Sequence, residues 1–178
     1  MRRDGIFAAF LLTAVLATAC RSAVVYVPAD QPTIQLGIEA AAGGDTVLAA
    51  PGTYLECIDF SGKPVTVASL YLTTGDPDFI DSTVLSGDLS MFGPLVTMDA
   101  GEDSLSALVG LTVASGNAPS GAGLYCRDSS PRISSCVFLS NEAQMFGGAV
   151  YGEAASPIIE GCRFEGNEAG SCGGAAYL

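Results

Sequence analysis

The chain has 178 residues, 49% of them apolar, with 22 glycines, no tryptophan and no histidine, which is the composition of a folded, glycine-rich protein rather than a disordered one. Its formal net charge of −12 argues against nucleic acids and anionic membranes as partners, because both repel an acidic surface. The absence of histidine excludes site chemistry that needs an imidazole as general base or metal ligand.

Residues 1–19 have the pattern of a secretory signal peptide. Arg2 and Arg3 form a basic start, residues 6–16 are an apolar run too short to span a bilayer, and residues 17–19 (Ala-Thr-Ala) form a cleavage site. The pattern predicts an exported protein that is extracellular, at the cell surface or associated with an outer membrane. No second apolar run of membrane length follows, so we expect no transmembrane helix.

Cys20 directly follows the predicted cleavage site, and its lipidation would anchor the protein to a membrane. Lipoprotein signals normally carry leucine three residues before this cysteine, whereas this chain has Ala17 there and Leu16 one position too early. Ordinary cleavage after Ala19 is therefore the preferred interpretation, and a lipid anchor at Cys20 is the alternative.

Residues 20–32 form a leader with a short strand at residues 24–27 and a proline-bounded linker after it. Thr33 then caps a helix predicted over residues 34–42, which two consecutive glycines terminate. The apolar residues on one face of this helix are Ile34, Ile38 and Ala41. An amphipathic helix ahead of the first strands is expected to cover the open N-terminal end of a stacked β-structure.

Six strands are predicted after this helix, at residues 45–50, 54–60, 63–70, 83–87, 95–99 and 108–114. An insert at residues 73–81 separates the third strand from the fourth and is expected to bulge out of the stack. Its carboxylates, Asp76, Asp78 and Asp81, could hold a calcium ion through oxygen ligands. Ordinary turn chemistry is the preferred interpretation, because Asp, Pro and Gly are typical turn residues.

The last third of the chain is a repeat with an offset of 26 residues. The segments GAGLY (121–125), GGAVY (147–151) and GGAAY (173–177) open three successive units. Ser-Pro, Ile, Cys, Phe and Asn-Glu-Ala also recur at the same offset within these units. A fixed period of this length without a helical segment predicts a β-solenoid in which each unit forms one coil.

Comparison of the two complete units separates inward from outward positions. The inward pairs, apolar in both units, are Ile133 and Ile159, Cys136 and Cys162, and Phe138 and Phe164. The outward pairs, which change polarity, are Arg132 and Ile158, and Val137 and Arg163. Asn141 and Asn167 should close a turn with a left-handed backbone and stack their amides along the axis of the solenoid.

Two sets of motifs resemble known families. F-x-x-N at residues 138–141 and 164–167, with G-G-A-[ILV] at residues 147–150 and a variant of it at residues 173–176, resembles the repeats of polymorphic outer membrane proteins, a family of surface adhesins and autotransporter passengers. This resemblance covers roughly residues 110–178 and implies a parallel β-helix at the cell surface.

The second resemblance lies at the other end of the predicted domain. T-I-Q at residues 33–35, G-D-T-V at residues 44–47 and P-G-T-Y at residues 51–54 are similar to the opening segment of pectate-lyase-like and pectin-esterase-like β-helix proteins. The resemblance implies their right-handed parallel β-helix. It includes none of their catalytic motifs, so we assign no catalytic residue.

Six cysteines in an exported chain would ordinarily suggest disulfides. Cys136 and Cys162, however, are equivalents in neighbouring units, so their Cβ atoms should lie about one strand spacing apart, ~4.8 Å, farther than the ~3.8 Å that a disulfide prefers. A pair of stacked buried thiols is therefore the preferred interpretation, and a disulfide is the alternative. No zinc site is expected, because the chain has neither a C-x-x-C pair nor a histidine.

Tyr125, Tyr151 and Tyr177 occupy the same position in three units. They should point outwards if Leu124, Val150 and Ala176 point inwards, because side chains alternate along a strand. An exposed column of aromatic rings could stack on sugar rings, which makes the three tyrosines our candidates for ligand binding. The preferred alternative is a cross-strand ladder that only stabilises the sheet.

These patterns predict one domain over residues 33–178, an all-β, right-handed parallel β-helix of about four coils with a capping helix at its N-terminal end and no cap at its C-terminal end. Because the sequence stops inside a unit that has just begun, we expect a truncated member of a longer repeat protein, prone to end-to-end self-association.

The expected function is that of a binding or adhesion scaffold for a polysaccharide or a surface protein, without a catalytic, cofactor or metal site. A polysaccharide lyase or esterase acting on acidic polysaccharide, or a non-catalytic fragment of one, is the alternative. A cleft that pairs Asp with Arg or Lys on one outward sheet would favour the enzyme, and a bare, smooth face would favour the scaffold.

Overall fold

The computed structural model of the protein describes residues 22–88 and 91–178. The predicted signal peptide and Cys20 therefore lie outside the described residues. The described residues contain nineteen β-strands and three short helices, which are α1 (Ile34–Ala40), α2 (Tyr71–Thr74) and α3 (Asp78–Ser82). None of these helices has the length and apolar character needed to cross a membrane.

The strands form four sheets, named A to D here. Sheet A contains β1 (Val24–Val27), β2 (Thr46–Ala49), β5 (Thr66–Ser69), β8 (Ala107–Val109), β12 (Arg132–Ser134) and β16 (Ile158–Glu160). Sheet B contains β3 (Gly52–Leu55), β6 (Thr83–Ser86), β9 (Thr112–Ala114), β13 (Val137–Leu139) and β17 (Arg163–Glu165). Sheet C contains β4 (Ile58–Asp59), β7 (Val96–Met98), β11 (Leu124–Arg127), β15 (Val150–Glu153) and β19 (Ala176–Tyr177). Sheet D contains β10 (Asn117–Ser120), β14 (Glu142–Phe146) and β18 (Glu168–Ala169).

From β2 onwards the chain visits sheets A, B and C in turn and then returns to sheet A one strand further along. Sheet D joins this circuit between sheets B and C from residue 117. Each circuit is called a pass here, and the five passes begin at β2, β5, β8, β12 and β16. Neighbouring passes pair in parallel and in register, as where Phe138 lies opposite both Val113 and Phe164. These stacked parallel sheets confirm the predicted all-β class and are compatible with a parallel β-helix.

The apolar core runs through the middle of the sheets. Ile133, Cys136 and Phe138 in the fourth pass are at most 1% exposed. Their equivalents 26 residues later are partly buried and pack against the same core cluster. The inward positions predicted from the repeat are therefore confirmed.

One predicted outward residue, Val137, is nevertheless buried, with only 6% of its surface exposed. The cause is the insert between β5 and β6, which lies against sheet B. Val137 shares the lining of a small cavity with Pro77 and Ile80 of the insert, and Thr112 Oγ1 donates a hydrogen bond to Ile80 O at 2.9 Å. Alternation along the strand was predicted correctly, but the insert covers the outward face at this position.

Two of the predicted strands are each divided between two sheets. Residues 54–60 contain the end of β3 and all of β4, and residues 108–114 contain the end of β8 and all of β9. Gly110, with φ +66, lies between β8 and β9, where a left-handed backbone lets the chain turn the corner. A continuous apolar run hides such a corner, because inward residues on both sides of it belong to one core.

The stacked asparagines form the predicted hydrogen bonds along the axis. Asn141 Nδ2 donates to Asn167 Oδ1 at 2.9 Å and to Val113 O at 3.0 Å. The left-handed residue is not the asparagine, however, but the one before it, Ser140 (φ 52) in the fourth pass and Gly166 (φ 59) in the fifth. The Asn141 side-chain amide thus supplies hydrogen bonds at this corner, donating to Val113 O and accepting from the Gly116 amide.

Helix α1 is held at both ends by charged side chains from the first circuit of strands. Thr33 Oγ1 accepts a hydrogen bond from the Leu36 amide, which confirms the predicted N-cap. The Glu56 carboxylate accepts hydrogen bonds from the first two helical amides at 2.8 and 2.9 Å. Lys63 Nζ donates to three carbonyls near the last turn at 2.8, 2.7 and 3.1 Å. The negative Glu56 lies at the N-terminal end of the helix dipole and the positive Lys63 at its C-terminal end, and both placements stabilise the helix.

The helix ends at Ala40, two residues before the predicted end. Ala41 has an extended backbone (ψ 144), and the amide of Ala42 donates to Asp45 Oδ2 at 2.9 Å instead of to a helical carbonyl. A side chain that follows the helix in sequence therefore terminates it before the two glycines do.

Candidate functional site

The three tyrosines predicted to form an outward column lie on neighbouring strands of sheet C. Tyr125 is opposite Tyr151, and Tyr151 is opposite Tyr177. Leu124 and Val150, the residues before the first two tyrosines, are fully buried, so the tyrosine rings point outwards as predicted. The ring centroids are 5.7 Å apart in the first pair and 5.9 Å in the second, with interplanar angles of 26° and 21°.

This stacking determines which ring surfaces a ligand can reach. Neighbouring rings cover each other's faces, as in a cross-strand aromatic ladder, where each pair contributes about 0.5–1.5 kcal/mol beyond its burial. Phe146, at the end of β14, extends the cluster sideways, with its ring centroid 6.1 Å from Tyr151 and 5.0 Å from Tyr177. The predicted ladder is therefore present, and what a ligand can contact is the ring edges and the flank beside Phe146.

A groove of about 510 Å³ runs beside this column and is called the sheet C groove here. Its residues from or next to the strands of sheet C are Thr97, Asp99, Tyr125, Tyr151 and Glu153. The remaining residues of its lining are Pro94, Pro119, Ser120, Met145 and Phe146. The volume is in the range of sites for small molecules, about 300–1,000 Å³. Tyr177 belongs to the aromatic column but does not line the groove.

A charged column stands next to the aromatic one on sheet C. Arg127 lies opposite Glu153, and Asp99 follows Met98, which lies opposite Cys126. Asp99, Arg127 and Glu153 therefore occupy the same position along the strand direction on three successive passes. The Arg127 guanidinium lies between the two carboxylates. Arg127 Nη2 donates to Asp99 Oδ2 at 3.3 Å. Two strand spacings, or about 9.6 Å, separate the backbones that carry the two carboxylates.

Tyr125 connects the two columns, because its hydroxyl donates to Glu153 Oε2 at 3.0 Å. Burial, the hydrogen bond to Glu153 and the charge of that carboxylate all raise the pKa of Tyr125 above its usual value. The hydroxyl therefore keeps its proton at neutral pH and remains a donor. The groove offers an apolar surface together with a hydroxyl and two carboxylates, and the Arg127 guanidinium lies beside it, paired with Asp99. This combination suits a ligand with apolar faces and polar edges.

Sequence reasoning identified the tyrosines of the groove and missed its charged column. The 26-residue offset relates Arg127 to Glu153, so the repeat contained the signal for this pair. Asp99 lies 28 residues before Arg127, in a pass of different length, so the 26-residue offset does not relate the two. Only the strand register shows that they are neighbours on sheet C. Phe146 was missed because the repeat has Cys172 at the equivalent position.

The three acidic residues of the insert do not converge on one point. Asp76 Oδ1 accepts a hydrogen bond from the backbone amide of Asp78 at 3.1 Å, which is a turn interaction. Asp81 Oδ1 lies 3.3 Å from Arg163 Nη2. Within residues 22–88 and 91–178, no three His, Cys, Asp or Glu side chains are grouped so as to hold a metal ion. Calcium binding by the insert stays a prediction.

All five cysteines in the described part of the chain are free thiols, as predicted for Cys136 and Cys162. Cys136 is buried, and burial raises the pKa of its thiol well above the usual value. The neighbouring Cys136 thiol lowers the pKa of Cys162, against the effect of its own partial burial. The two stacked thiols therefore differ in acidity although they occupy equivalent positions in the repeat.

Comparison with known proteins adds no relative to this description. No family model, no curated protein and no solved structure matches the chain. The sheet C groove and the stacked sheets that build it are therefore the features from which a function can be inferred.

Proposed function

We propose that this protein is an exported binding scaffold, without catalytic activity, that holds a polysaccharide in the sheet C groove. The observation that supports this function is the charged column beside an aromatic column in one groove. Sugar rings carry apolar C–H surfaces and hydroxyl groups, so they complement a groove with both kinds of wall. In the groove, hydroxyl groups of the ligand would bind Asp99 and Glu153, with Arg127 beside them, and C–H surfaces would pack against Met145 and Phe146.

The charge of the groove favours a neutral polysaccharide over an acidic one. The groove has two carboxylates and one adjacent guanidinium, and Arg127 is already paired with Asp99. The chain as a whole carries a formal charge of −12. A uronic acid polymer would therefore approach a surface of its own sign, which lowers both its affinity and its rate of association.

The fold that we propose for this scaffold is a right-handed parallel β-helix of about four coils within residues 33–178. The regular order of sheets A, B and C supports it, as does the resemblance of the repeat to polymorphic outer membrane proteins. Helix α1 is proposed as the cap of the N-terminal end, because Ile34 and Ile38 are buried in the core cluster and Glu56 and Lys63 hold the helix in place.

Export is proposed from residues 1–19, with cleavage after Ala19 and a lipid anchor at Cys20 as the alternative. Expression of the full chain in a bacterial host, followed by mass spectrometry of the mature protein, tests both. A mature chain that begins at Cys20 without added mass supports simple secretion. A diacylglycerol or acyl mass on Cys20 supports the anchor, and retention of residues 1–19 contradicts export.

Binding of neutral and uronic acid oligosaccharides to the purified protein, measured by calorimetry, tests the scaffold. Tyr125→Phe removes the hydroxyl that donates to Glu153, and we expect affinity for a neutral glycan to fall about tenfold, the equivalent of ~1.4 kcal/mol. Tyr177→Phe is the matched control, since Tyr177 stands in the same column outside the groove, and it should bind as the wild type does. Equal losses in the two variants, or no neutral glycan bound by the wild type, would contradict the proposal.

The pairing of Asp99 with Arg127 on an outward sheet is the feature that favours the alternative, a polysaccharide lyase or esterase. Such an enzyme needs a positioned acid or base beside the scissile group. Incubation with polysaccharides and measurement of new reducing ends, unsaturated products and released esters tests this function. Products that disappear in Glu153→Gln and Asp99→Asn variants would support the enzyme, and binding without products supports the scaffold.

We also propose that the exposed edge of the fifth pass associates with a second copy of the chain. Within the described residues, β16, β17, β18 and β19 each pair with a strand on one side alone. Ile159 is only partly buried there, whereas Ile133 is fully buried one pass earlier. Unpaired strand edges beside apolar side chains recruit further strands.

Light scattering across a range of protein concentrations tests the self-association. The wild type should increase in mean mass with concentration, and Ile159→Lys should remain monomeric. Leu105→Lys is the control, because Leu105 is exposed just before β8, two strands from β16 in sheet A, and the variant should associate as the wild type does. A monomeric wild type at high concentration would contradict the proposal.

A further inference from the structure

Cys136 and Cys162 stand one above the other at the corner where the chain enters sheet B. Val137 lies opposite Arg163, and the backbone amide of Arg163 donates to Cys136 O at 2.9 Å. The equivalent residue one pass earlier is Leu111, whose carbonyl accepts a hydrogen bond from the Val137 amide at 2.9 Å. The two thiols therefore form a pair at the end of an otherwise apolar column.

The spacing of this pair is set by the strands rather than by the sulfur atoms. Strands in a sheet repeat about every 4.8 Å, which is longer than the ~3.8 Å that the Cβ atoms of a disulfide prefer. The rings of Phe138 and Phe164, two residues further along the same strands, show how closely the two passes follow each other. Their centroids are 5.3 Å apart and their planes differ by 7°. Side chains of equivalent residues are thus kept in register here.

One kind of ligand fits two thiolates at this spacing. A metal–thiolate bond is about 2.3 Å long, so two such bonds in line span about 4.6 Å, close to one strand repeat. We propose that Cys136 and Cys162 form a two-coordinate site for a soft monovalent metal ion such as Cu(I). Binding of one ion releases the two thiol protons and leaves a complex with a single negative charge.

The surroundings of the pair favour two ligands and a soft metal. No third His, Cys, Asp or Glu joins the pair within the described residues, which disfavours the four ligands that zinc requires. The polar atoms near the sulfurs are carbonyl oxygens, with Leu108 O 3.5 Å from the Cys136 sulfur and Ile133 O 3.6 Å from the Cys162 sulfur. Carbonyl oxygens suit hard cations, whereas thiolates select Cu(I).

A second pair of sulfur atoms provides an internal comparison. Met98 lies opposite Cys126 on sheet C, and both side chains are fully buried. A thioether is a neutral ligand and cannot take up charge by losing a proton, so this pair should hold Cu(I) less tightly than two thiolates do. Cys162 is also only partly buried, which gives an ion a route to its sulfur that Cys126 lacks.

Anaerobic titration of the reduced full chain with Cu(I), in competition with a chromophoric Cu(I) chelator, tests the site. We expect the wild type to withhold one equivalent of Cu(I) and the bound ion to show two sulfur neighbours by X-ray absorption spectroscopy. Cys162→Val and Cys136→Val should each abolish the withheld equivalent. Cys172→Ser is the control, because Cys172 is exposed and free, and it should withhold the same amount as the wild type.

Circular dichroism of each variant separates loss of the site from loss of the fold. Cys162→Val is the decisive variant, because it preserves apolar contacts at a partly buried position and should stay folded. A folded Cys162→Val protein that still withholds one equivalent would overturn the proposal. Retention in both valine variants with loss in Cys126→Val would place the ion at the Met98–Cys126 pair and overturn it as well.

Discussion

The fourth and fifth passes carry the same sequence pattern but differ in burial. Ile133, Cys136 and Phe138 are at most 1% exposed, whereas the residues 26 positions later are only partly buried. The fourth pass has a stacked pass on each side, and the fifth has one on a single side within the described residues. Burial in this molecule therefore comes from the neighbouring passes and not from the sequence of the pass itself.

The same contrast holds for polar side chains. Asn141 is fully buried, donates to Val113 O and Asn167 Oδ1, and accepts from the Gly116 amide at 2.9 Å. Asn167 occupies the equivalent corner and donates to Phe138 O at 2.9 Å, but it is partly exposed. Water can reach the side chain of Asn167 but not that of Asn141.

The largest expected effect separates the two phenylalanines. Phe138→Ala should lower the free energy of unfolding by about 3–5 kcal/mol, because the ring is enclosed and leaves a cavity. Phe164→Ala should cost about half as much, since its site is partly open and water can enter the space. Urea unfolding curves measure both values, and equal losses would show that burial does not distinguish the two passes.

The two asparagines should differ in the same direction. Asn141→Ala removes the acceptor of the Gly116 amide and one donor to the Val113 carbonyl in a buried corner, and we expect a loss of about 2–3 kcal/mol. Asn167→Ala should cost about 1 kcal/mol, because solvent can hydrate the freed groups. Hydrogen exchange provides an independent check. The Gly116 amide should lose its protection in the first variant and keep it in the second.

A third substitution extends the comparison to α1, whose residues Ile34 and Ile38 are buried in the core cluster. Lys63→Met preserves the aliphatic stem but removes the three hydrogen bonds to the carbonyls near the end of α1, and should cost about 1–2 kcal/mol. Arg132→Met is the control, because Arg132 and Glu160 form an exposed pair whose loss should cost less than about 0.5 kcal/mol. Equal thermal stability of the two variants would mean that Lys63 does not hold the helix.

The smallest expected effect has the opposite sign. Thr83 is fully buried, and its hydroxyl oxygen has no hydrogen-bond partner in the described structure. Thr83→Val replaces that hydroxyl by a methyl group of similar size and should stabilise the protein by about 1 kcal/mol. The urea midpoint should rise. A lower midpoint would show that the hydroxyl has a partner, such as a buried water molecule.

The sequence by itself determined the periodic part of this protein. A repeat at a constant offset places equivalent residues at equivalent heights, and alternation along each strand then separates inside from outside. For this reason the inward column of Phe138 and the outward column of Tyr125 were predicted correctly. The N-cap at Thr33 was also predictable, because a cap depends on the next three residues alone.

Tertiary structure decided everything that depends on residues far apart in the chain. Val137 is buried because the insert folds back over sheet B, and Asp99 meets Arg127 because two passes of unequal length end in register. The burial of each repeat unit likewise depends on whether passes lie on both sides of it. Local sequence does not predict these contacts, because the free energy of burying apolar surface that stabilises them is gained only when distant segments pack together.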